Sequence, residues 1–416
     1  QFYERLMHSL VRFTYTTVAQ IIEARTEKHS AVREKYAALV PHIDNLYSLY
    51  QALRGARDER GAIDFETQET RIIFADNRKI EKIIPVVRNE AHKLIEECML
   101  AANTCAATLL EKQKLPALFR VHEGPSEEKL KNLRAFLGEL GLGLGGGNKP
   151  TPRDYQNLLA SAVGRTDARL IQTMLLRSMS QAVYQPENIG HFGLDYDSYA
   201  HFTSPIRRYP DLLVHRAIRY LVRNRPEVKQ VRCAEGAPKL PQSKIYPYDD
   251  ASMDAFGVQC SSCERRADEA SRDVVAWLKC EYLLDHVEET FDGVINAVTS
   301  FGLFVELKDI YIEGLVHVTM LKRDYYHFDA AGQRLVGERT REVYRLGDSV
   351  QVRVVRVDLD DRKIDLELLQ LIKNVRSPGQ RSLSAAATTP ETAPKKKKPA
   401  APNKKTGPNK KTGPKK

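Results

Sequence analysis

The sequence lacks the features that would place the chain in a membrane or in an oxidising compartment. No apolar run approaches the roughly eighteen residues needed to span a bilayer. Six cysteines in 416 residues make no disulfide framework, so we expect a cytoplasmic protein without membrane contact. The opening residues QFYERLMHSL contain neither an initiator methionine nor a signal peptide, because they are polar and helix-like. We therefore expect the chain to begin within a domain.

Most of the chain also lacks net charge. The segment from Arg376 to Lys416 holds 12 basic residues and one acid, whereas the first 375 residues hold 52 basic and 53 acidic groups. Its Pro, Ala, Thr and Lys residues cannot bury a core, and the sequence NKKTGP occurs twice from Asn403. We predict a disordered tail over 376–416 that binds polyanions, either RNA or the ribosome. The alternative is a solubilising tail without a fixed partner.

One apparent metal motif also lacks its usual context. Cys260 and Cys263 form a C-x-x-C pair, but no second pair and no suitably spaced histidine follows. The pair precedes the helix-like stretch RRADEASRDVVAWLKCEYLLDHV. We therefore predict small apolar helix residues rather than a metal site.

The first 286 residues have mainly helical periodicity. Apolar residues recur every three or four positions from Leu94 to Leu110, which predicts one long amphipathic helix ending before Pro116. A helix predicted over 129–140 precedes GLGLGGGNKP, which contains a G-x-G-x-x-G match. This match follows a helix instead of a strand, and Pro152 should break the next helix, so we predict a loop. The aperiodic segment 232–251 is predicted to be an exposed insertion.

The periodicity changes after about Glu289. FDGVINAV, GLFVEL and EGLVHVTML alternate as strands, and a further pair over 349–359 and 364–368 is joined by a polar turn. Five short strands in about eighty residues predict a small closed barrel of the OB type. The chain therefore combines a helical part with a β-barrel, which is an α+β organisation.

The stretch HFGLDYDSYAHFTSPIRRYPDLLVH, from His191 to His215, carries the densest chemistry. Arg207 and Arg208 offer fixed forks of N–H donors that suit phosphate oxygens, and Pro205 stiffens the turn before them. In the alternative interpretation, these arginines pair with nearby aspartates on the surface. The candidate partners are Asp195, Asp197 and Asp211.

This stretch resembles the signature of the RNase II/RNase R (RNB) family of hydrolytic 3′-to-5′ exoribonucleases, and especially its ribonuclease R branch. The resemblance runs from about Phe2 to Leu369. It implies the C-terminal part of an RNB catalytic domain over 1–286 and an S1 RNA-binding domain over 289–370. The implied activity is degradation of single-stranded and structured RNA to nucleoside 5′-monophosphates with magnesium.

The resemblance also implies site residues. Arg207 falls where the family has an arginine at the scissile phosphate, with Arg208 beside it. Phe65 matches an aromatic that clamps terminal bases, although it would otherwise be a strand core residue, and Tyr209 closes the arginine motif. Candidates for base stacking on the S1 barrel are Phe301, Phe304 and His317, which could instead be barrel core. A family glutamate near the active site has no clean match here, and Glu264 and Glu269, both in the predicted helix, are the two candidates if either corresponds to it.

The family's magnesium-binding aspartate cluster has no counterpart in this sequence. The densest acidic groups are Asp358, Asp360 and Asp361 in the barrel hairpin and Asp249 and Asp250 in the predicted insertion. We therefore expect a C-terminal portion of a ribonuclease that holds RNA but lacks the metal ligands. The alternative is a non-catalytic RNA-binding fragment or tethering module.

Overall fold

The computed structural model describes residues 1–27, 29–65, 69–165 and 167–373. Its helices are α1 (Tyr15–Glu23), α2 (Ala31–Lys35), α3 (Val40–Arg60), α4 (Glu90–Lys112), α5 (Glu127–Glu139), α6 (Pro152–Ala162), α7 (Ala168–Ser178), α8 (Tyr209–Asn224), α9 (Gln242–Ile245) and α10 (Asp250–Leu284). Its strands are β1 (Thr70–Phe74), β2 (Ile80–Pro85), β3 (Phe119–Val121), β4 (Val183–Gln185), β5 (Thr290–Thr299), β6 (Gly302–Leu307), β7 (Ile312–His317), β8 (Tyr326–Asp329), β9 (Arg334–Gly337), β10 (Val343–Arg345), β11 (Ser349–Asp358) and β12 (Lys363–Lys373). The predicted tail over 376–416 lies outside these ranges.

The long helix predicted from the 94–110 periodicity is α4. Asn89 caps it, because its side chain accepts a hydrogen bond from the His92 backbone N–H while His92 Nδ1 accepts one from the Asn89 N–H. The buried face of α4 packs against that of α8 in one hydrophobic cluster, which contains Leu110, Leu213 and Leu221. No helix in the described ranges is long and apolar enough to cross a membrane.

The predicted barrel is confirmed as a closed sheet with strand order β11-β12-β7-β6-β5. All of its pairings are antiparallel except β12 with β7. Alternate residues of β6 and β11 point inward, so Leu303, Val305, Val350 and Val352 are fully buried. The period of two in the sequence is thus the inside–outside alternation of a small barrel.

The barrel is fixed to the helical part by a shared core. Leu283 of α10 and Ile83 of β2 belong to the same buried cluster as the barrel interior, and Met174 of α7 packs against that cluster. Lys279 donates from Nζ to the Tyr311 carbonyl at 2.6 Å, and Arg169 pairs with Glu306 at 2.8 Å. The barrel is therefore an integral part of the fold.

Sequence periodicity missed several short strands. β8, β9 and β10 form a separate three-stranded sheet between β7 and β11, and β1–β2 and β3–β4 form two-stranded sheets in the helical part. All seven of these strands have between three and six residues, and most carry charged residues, so no alternating pattern develops.

Two predictions about the helical part were wrong in detail. Segment 232–251 is not simply an exposed insertion, because Tyr246 is fully buried and donates from its hydroxyl to the Pro116 carbonyl at 2.6 Å. Pro152 begins α6 instead of breaking a helix, since proline lacks only an N–H that the first helical turn leaves unpaired. The glycine-rich segment 141–147 is a loop, as predicted.

A pair of substitutions in the barrel should separate inward from outward residues. Leu303→Ala should lower the free energy of unfolding by roughly 2–5 kcal/mol, because it leaves a cavity in a buried core. Phe301→Ala should cost less than about 1 kcal/mol, because the ring is 46% exposed. Urea denaturation followed by circular dichroism measures both. Equal losses would contradict the outward placement of Phe301.

Candidate nucleic-acid interface

The two adjacent arginines lie on a tight turn that leads into α8. Residues 202–208, here called the arginine loop, turn back at Ser204, whose carbonyl accepts hydrogen bonds from the backbone N–H groups of Arg207 (3.3 Å) and Arg208 (3.1 Å). Arg208 is the N-cap residue of α8, and Pro210 follows in its first turn. The turn and the helix start therefore fix the backbone of both arginines.

A buried carboxylate holds this loop in place. Asp211 is fully buried, and its Oδ1 accepts from the Ser204 N–H at 2.7 Å and from Arg208 Nη2 at 2.8 Å. Its Oδ2 accepts from Arg208 Nε at 2.8 Å. This bidentate pair draws the Arg208 guanidinium onto the helix start and leaves 19% of its side chain exposed.

Arg207 differs from its neighbour. Its residue is exposed, and its side chain has no hydrogen-bond or ion-pair partner among the residues that the structure describes. Aspartate pairing thus accounts for Arg208 and not for Arg207. A free guanidinium on a fixed turn is suited to an external anion, while the catalytic roles of both arginines stay predictions.

The other end of the arginine loop is fixed by α4. Asn103, fully buried, accepts a hydrogen bond at Oδ1 from the Phe202 N–H (2.9 Å) and donates from Nδ2 to the Tyr199 hydroxyl (2.8 Å). His215 Nε2 lies 2.8 Å from the Phe202 carbonyl, and its ring stacks on Phe202 at 4.2 Å. Asn103 could not be identified from the sequence, because the residue type and its position in a helix do not indicate a hydrogen-bond partner about a hundred residues away.

Two histidines flank a buried tyrosine next to the arginines. The rings of His191 and His201 approach Tyr199 edge-on, with centroids at 5.3 and 5.8 Å. Burial, aided by the charges of His122 and Arg120, lowers the pKa of His191 to about 3. Burial and the charges of Arg208, Arg120 and Arg207 lower the pKa of His201 to about 3. Both imidazoles are therefore neutral at physiological pH.

Tyr184 connects this histidine to a second ion pair. Its hydroxyl lies 2.7 Å from His201 Nδ1, and the Arg120 guanidinium sits 4.6 Å from its ring centroid. Arg120 Nη1 donates to Glu264 Oε2 at 2.6 Å. The structure thus brings Glu264 towards the arginine loop, whereas Glu269 is an exposed residue of α10.

Phe65 reaches the same region by another route. It lies outside any strand, half-buried against the hydrophobic cluster that Phe192 also contacts. The Ile63 N–H donates to the Gly193 carbonyl at 3.2 Å, and the Arg60 guanidinium lies 4.1 Å from the ring centroid of Tyr196. Segment 60–65 is therefore attached to the turn that precedes the arginine loop, and the clamp role of Phe65 stays a prediction.

The remaining aromatic candidates are exposed, except Phe304, which is half-buried. Tyr209, the first residue of α8, is 44% exposed. On the barrel, Phe301 and Phe304 meet edge to face at 6.0 Å, and His317 is exposed directly across from Gly302 in the β6–β7 register. Since Leu303 and Val305 fill the interior, these three side chains are not barrel core. Their RNA-binding role stays a prediction.

Asp249 and Asp358 have structural hydrogen-bond partners, and the carboxylates in the described ranges form no metal-binding group. No group of three His, Cys, Asp or Glu side chains converges there. Asp358 accepts from the Asp361 N–H at 3.0 Å in the barrel hairpin, and Asp249 caps α10. The Cys260 and Cys263 pair lies within α10. The residues seen here do not fit a magnesium site, so we derive no step through that ion.

Comparisons with known proteins agree with this architecture. The RNB domain model matches residues 1–224, and the S1 RNA binding domain model matches residues 285–369. Ribonuclease R of Vibrio cholerae is 54% identical over 398 residues, which cover 96% of this chain and 47% of that protein. Ribonuclease R of Escherichia coli is 52% identical over 380 residues, covering 91% and 45%. The chain therefore spans about half the length of these curated relatives.

Solved structures give the same relationship. The apo form of Mycoplasma genitalium RNase R has a TM-score of 0.75 and 25% identity, covering 86% of this chain and 53% of that one. The same protein in complex with ribose-methylated single-stranded RNA has a TM-score of 0.73 and 25% identity, with equal coverage.

The neutral histidines make stability depend on pH. Because the folded pKa of His191 and His201 is about 3 and the unfolded value is about 6.5, the unfolded state binds more protons between these values. The stability that the two neutral histidines allow is fully present above about pH 6.5. As the pH falls below this value, each histidine lowers the free energy of unfolding by up to about 1.4 kcal/mol per pH unit. Urea denaturation between about pH 5 and pH 7 measures this slope. His191→Gln should make the dependence of the free energy of unfolding on pH shallower. His327→Gln, at an exposed site, is the control and should leave it unchanged. An unchanged slope in His191→Gln would contradict the account.

Proposed function

Because the chain belongs to the RNB family of ribonuclease R-type proteins, we propose that it supplies the RNA-holding part of a hydrolytic 3′-to-5′ exoribonuclease. The proposed products are nucleoside 5′-monophosphates from single-stranded and structured RNA. The observation that carries the proposal is the exposed Arg207 side chain, which has no partner among the described residues and lies on a loop that Asp211 and Asn103 fix. A free guanidinium on a rigid turn binds a phosphate without first breaking an internal ion pair.

Arg207 would act on the phosphoryl group that is cleaved. Its planar fork matches two phosphate oxygens, and charge on those oxygens grows during phosphoryl transfer, so a fixed cation stabilises the transition state. Arg208, already paired with Asp211, keeps partial exposure and would contact the adjacent part of the RNA backbone. Phe65 and Tyr209 would stack on the bases near the 3′ end.

The S1 barrel supplies a second contact. Aromatic rings stack on any base, so Phe301, Phe304 and His317 would bind RNA with little sequence preference. The shared core fixes this face relative to the arginine loop, which supports one continuous RNA path over both parts. The basic segment 376–416 would add electrostatic attraction to RNA or to the ribosome. All six cysteines are free, which supports a cytoplasmic location.

We further propose that this chain alone binds RNA without cutting it. Magnesium is the family's expected cofactor, and the described residues offer no set of carboxylates to hold it. The same observation favours the second candidate function, a non-catalytic RNA-binding or tethering module.

A 3′-end assay tests this proposal directly. The purified chain should retard a 5′-labelled single-stranded RNA in a gel and, with magnesium added, leave its length unchanged. Shortening from the 3′ end that a chelator abolishes, and that Arg207→Ala removes, would contradict the binding-only proposal and favour an active enzyme. Absence of retardation at low salt would contradict RNA binding itself.

Salt dependence should separate the two proposed RNA-binding appendages. Deleting the residues after Ser377 removes point charges, so the slope of log affinity against log salt should become shallower. Replacing Phe301 and Phe304 by Ala removes stacking, so affinity should fall roughly tenfold or more with the slope nearly unchanged. Fluorescence anisotropy at several salt concentrations measures both, and Phe328→Ala, an exposed ring on the inserted sheet, is the matched control. A shallower slope in the double Phe variant would contradict the stacking role.

A further inference from the structure

One hydrogen-bonding atom beside the arginine loop has no internal partner. His201 Nδ1 lies 2.7 Å from the Tyr184 hydroxyl, whereas Nε2 of the same ring has no hydrogen bond within the described part of the chain. The residue is half-buried and Nε2 is not fully enclosed, so this atom retains some access to solvent.

The contact with Tyr184 determines which ring nitrogen carries the proton. A phenol is a stronger donor than a neutral imidazole N–H, and an imidazole nitrogen is a stronger acceptor than a phenol oxygen, so Tyr184 donates to Nδ1. Burial raises the pKa of the Tyr184 hydroxyl, which therefore keeps its proton. Since His201 is neutral, its single proton is on Nε2, and the open atom is a hydrogen-bond donor.

The surroundings of this donor favour an anion. Arg207 and Arg208 are close enough for their charges to act on the His201 ring, together with that of Arg120. Arg120 is paired with Glu264 and Arg208 with Asp211, so Arg207 is the cation of this group that is free to bind an external ligand. A phosphate accepts hydrogen bonds and donates none when it is ionised, which matches a free guanidinium beside a neutral N–H.

The ring is held on several sides. Its edge faces Tyr199, and the next residue, Phe202, has its N–H bound to Asn103. A donor whose orientation is fixed before the ligand arrives loses little conformational entropy on binding.

We propose that His201 is an RNA-contacting residue that donates from Nε2 to a non-bridging phosphate oxygen of the strand that Arg207 holds. This inference rests on the function proposed above. Tyr184 acts as the positioning residue, since it fixes the tautomer and the ring orientation and touches no RNA itself. A purely structural His201 would instead serve only to fill space beside Tyr199.

The test combines His201 variants with RNA in which one phosphate at a time is a neutral methylphosphonate, read by anisotropy on this chain. His201→Ala should weaken binding about tenfold, the loss typical of one hydrogen bond to a charged group, while His201→Gln, which keeps an amide donor near the Nε2 position, should stay within about threefold. His327→Ala, at an exposed site on the inserted sheet, is the matched control. In the unmodified chain, one methylphosphonate near the 3′ end should be costly, and His201→Ala should reduce that cost.

The position of the proton on the His201 ring is a second measurable quantity, and a space-filling role would not determine it. Long-range proton–nitrogen NMR spectra of the imidazole should show the proton of His201 on Nε2, and Tyr184→Phe should remove this preference. Thermal melts of each variant check that the fold is retained, and His201→Gln keeps the test valid if the alanine variant unfolds.

Failure of this inference differs from failure of the proposed function. If Arg207→Ala weakens RNA binding but every methylphosphonate costs the same in His201→Ala and in the unmodified chain, His201 does not contact phosphate and the inference is overturned. If the unmodified chain binds no RNA, or Arg207→Ala has no effect, the proposed function fails as well.

Discussion

The candidate interface depends on the buried carboxylate of Asp211. A buried charge must be paired. Asp211 accepts hydrogen bonds from the Ser204 N–H and from Nε and Nη2 of Arg208. These bonds attach Ser204 and the Arg208 side chain to the first turn of α8 and so close the arginine loop. Arg207, one residue earlier, makes no bond to this carboxylate and remains exposed. Arg208 thus has a structural role, whereas Arg207 is available to bind an external anion.

The same division between structural and available groups recurs around the loop. Arg120 is neutralised by Glu264, and burial keeps His191 and His201 uncharged. At physiological pH the described part of this site therefore presents the exposed Arg207 guanidinium and neutral donors. Such a surface attracts a phosphate backbone while limiting repulsion within the protein. The barrel shares a hydrophobic core with the helical part, and the RNA-binding role of its outward aromatic side chains stays a prediction.

How far the sequence could predict this arrangement varied with the range of the interactions. The alternation in GLFVEL predicted the barrel, because inside–outside packing repeats every second residue. The sequence shows two adjacent arginines, but it does not show that Arg208 is paired and Arg207 exposed, because this depends on the orientation of Asp211 in the fold. Asn103 and Tyr184 were missed because their partners lie far along the chain. Resemblance to a family supplied the roles that local pattern could not.

The most direct test of the central claim is a crystal structure of this chain with a short single-stranded RNA carrying a cleavage-resistant 3′ end. The account predicts a phosphate oxygen within about 2.7–3.2 Å of the Arg207 guanidinium, with the Arg208–Asp211 pair unchanged. RNA bound elsewhere, with Arg207 still in solvent, would contradict it. So would a phosphate held by Arg208 after its ion pair with Asp211 had opened.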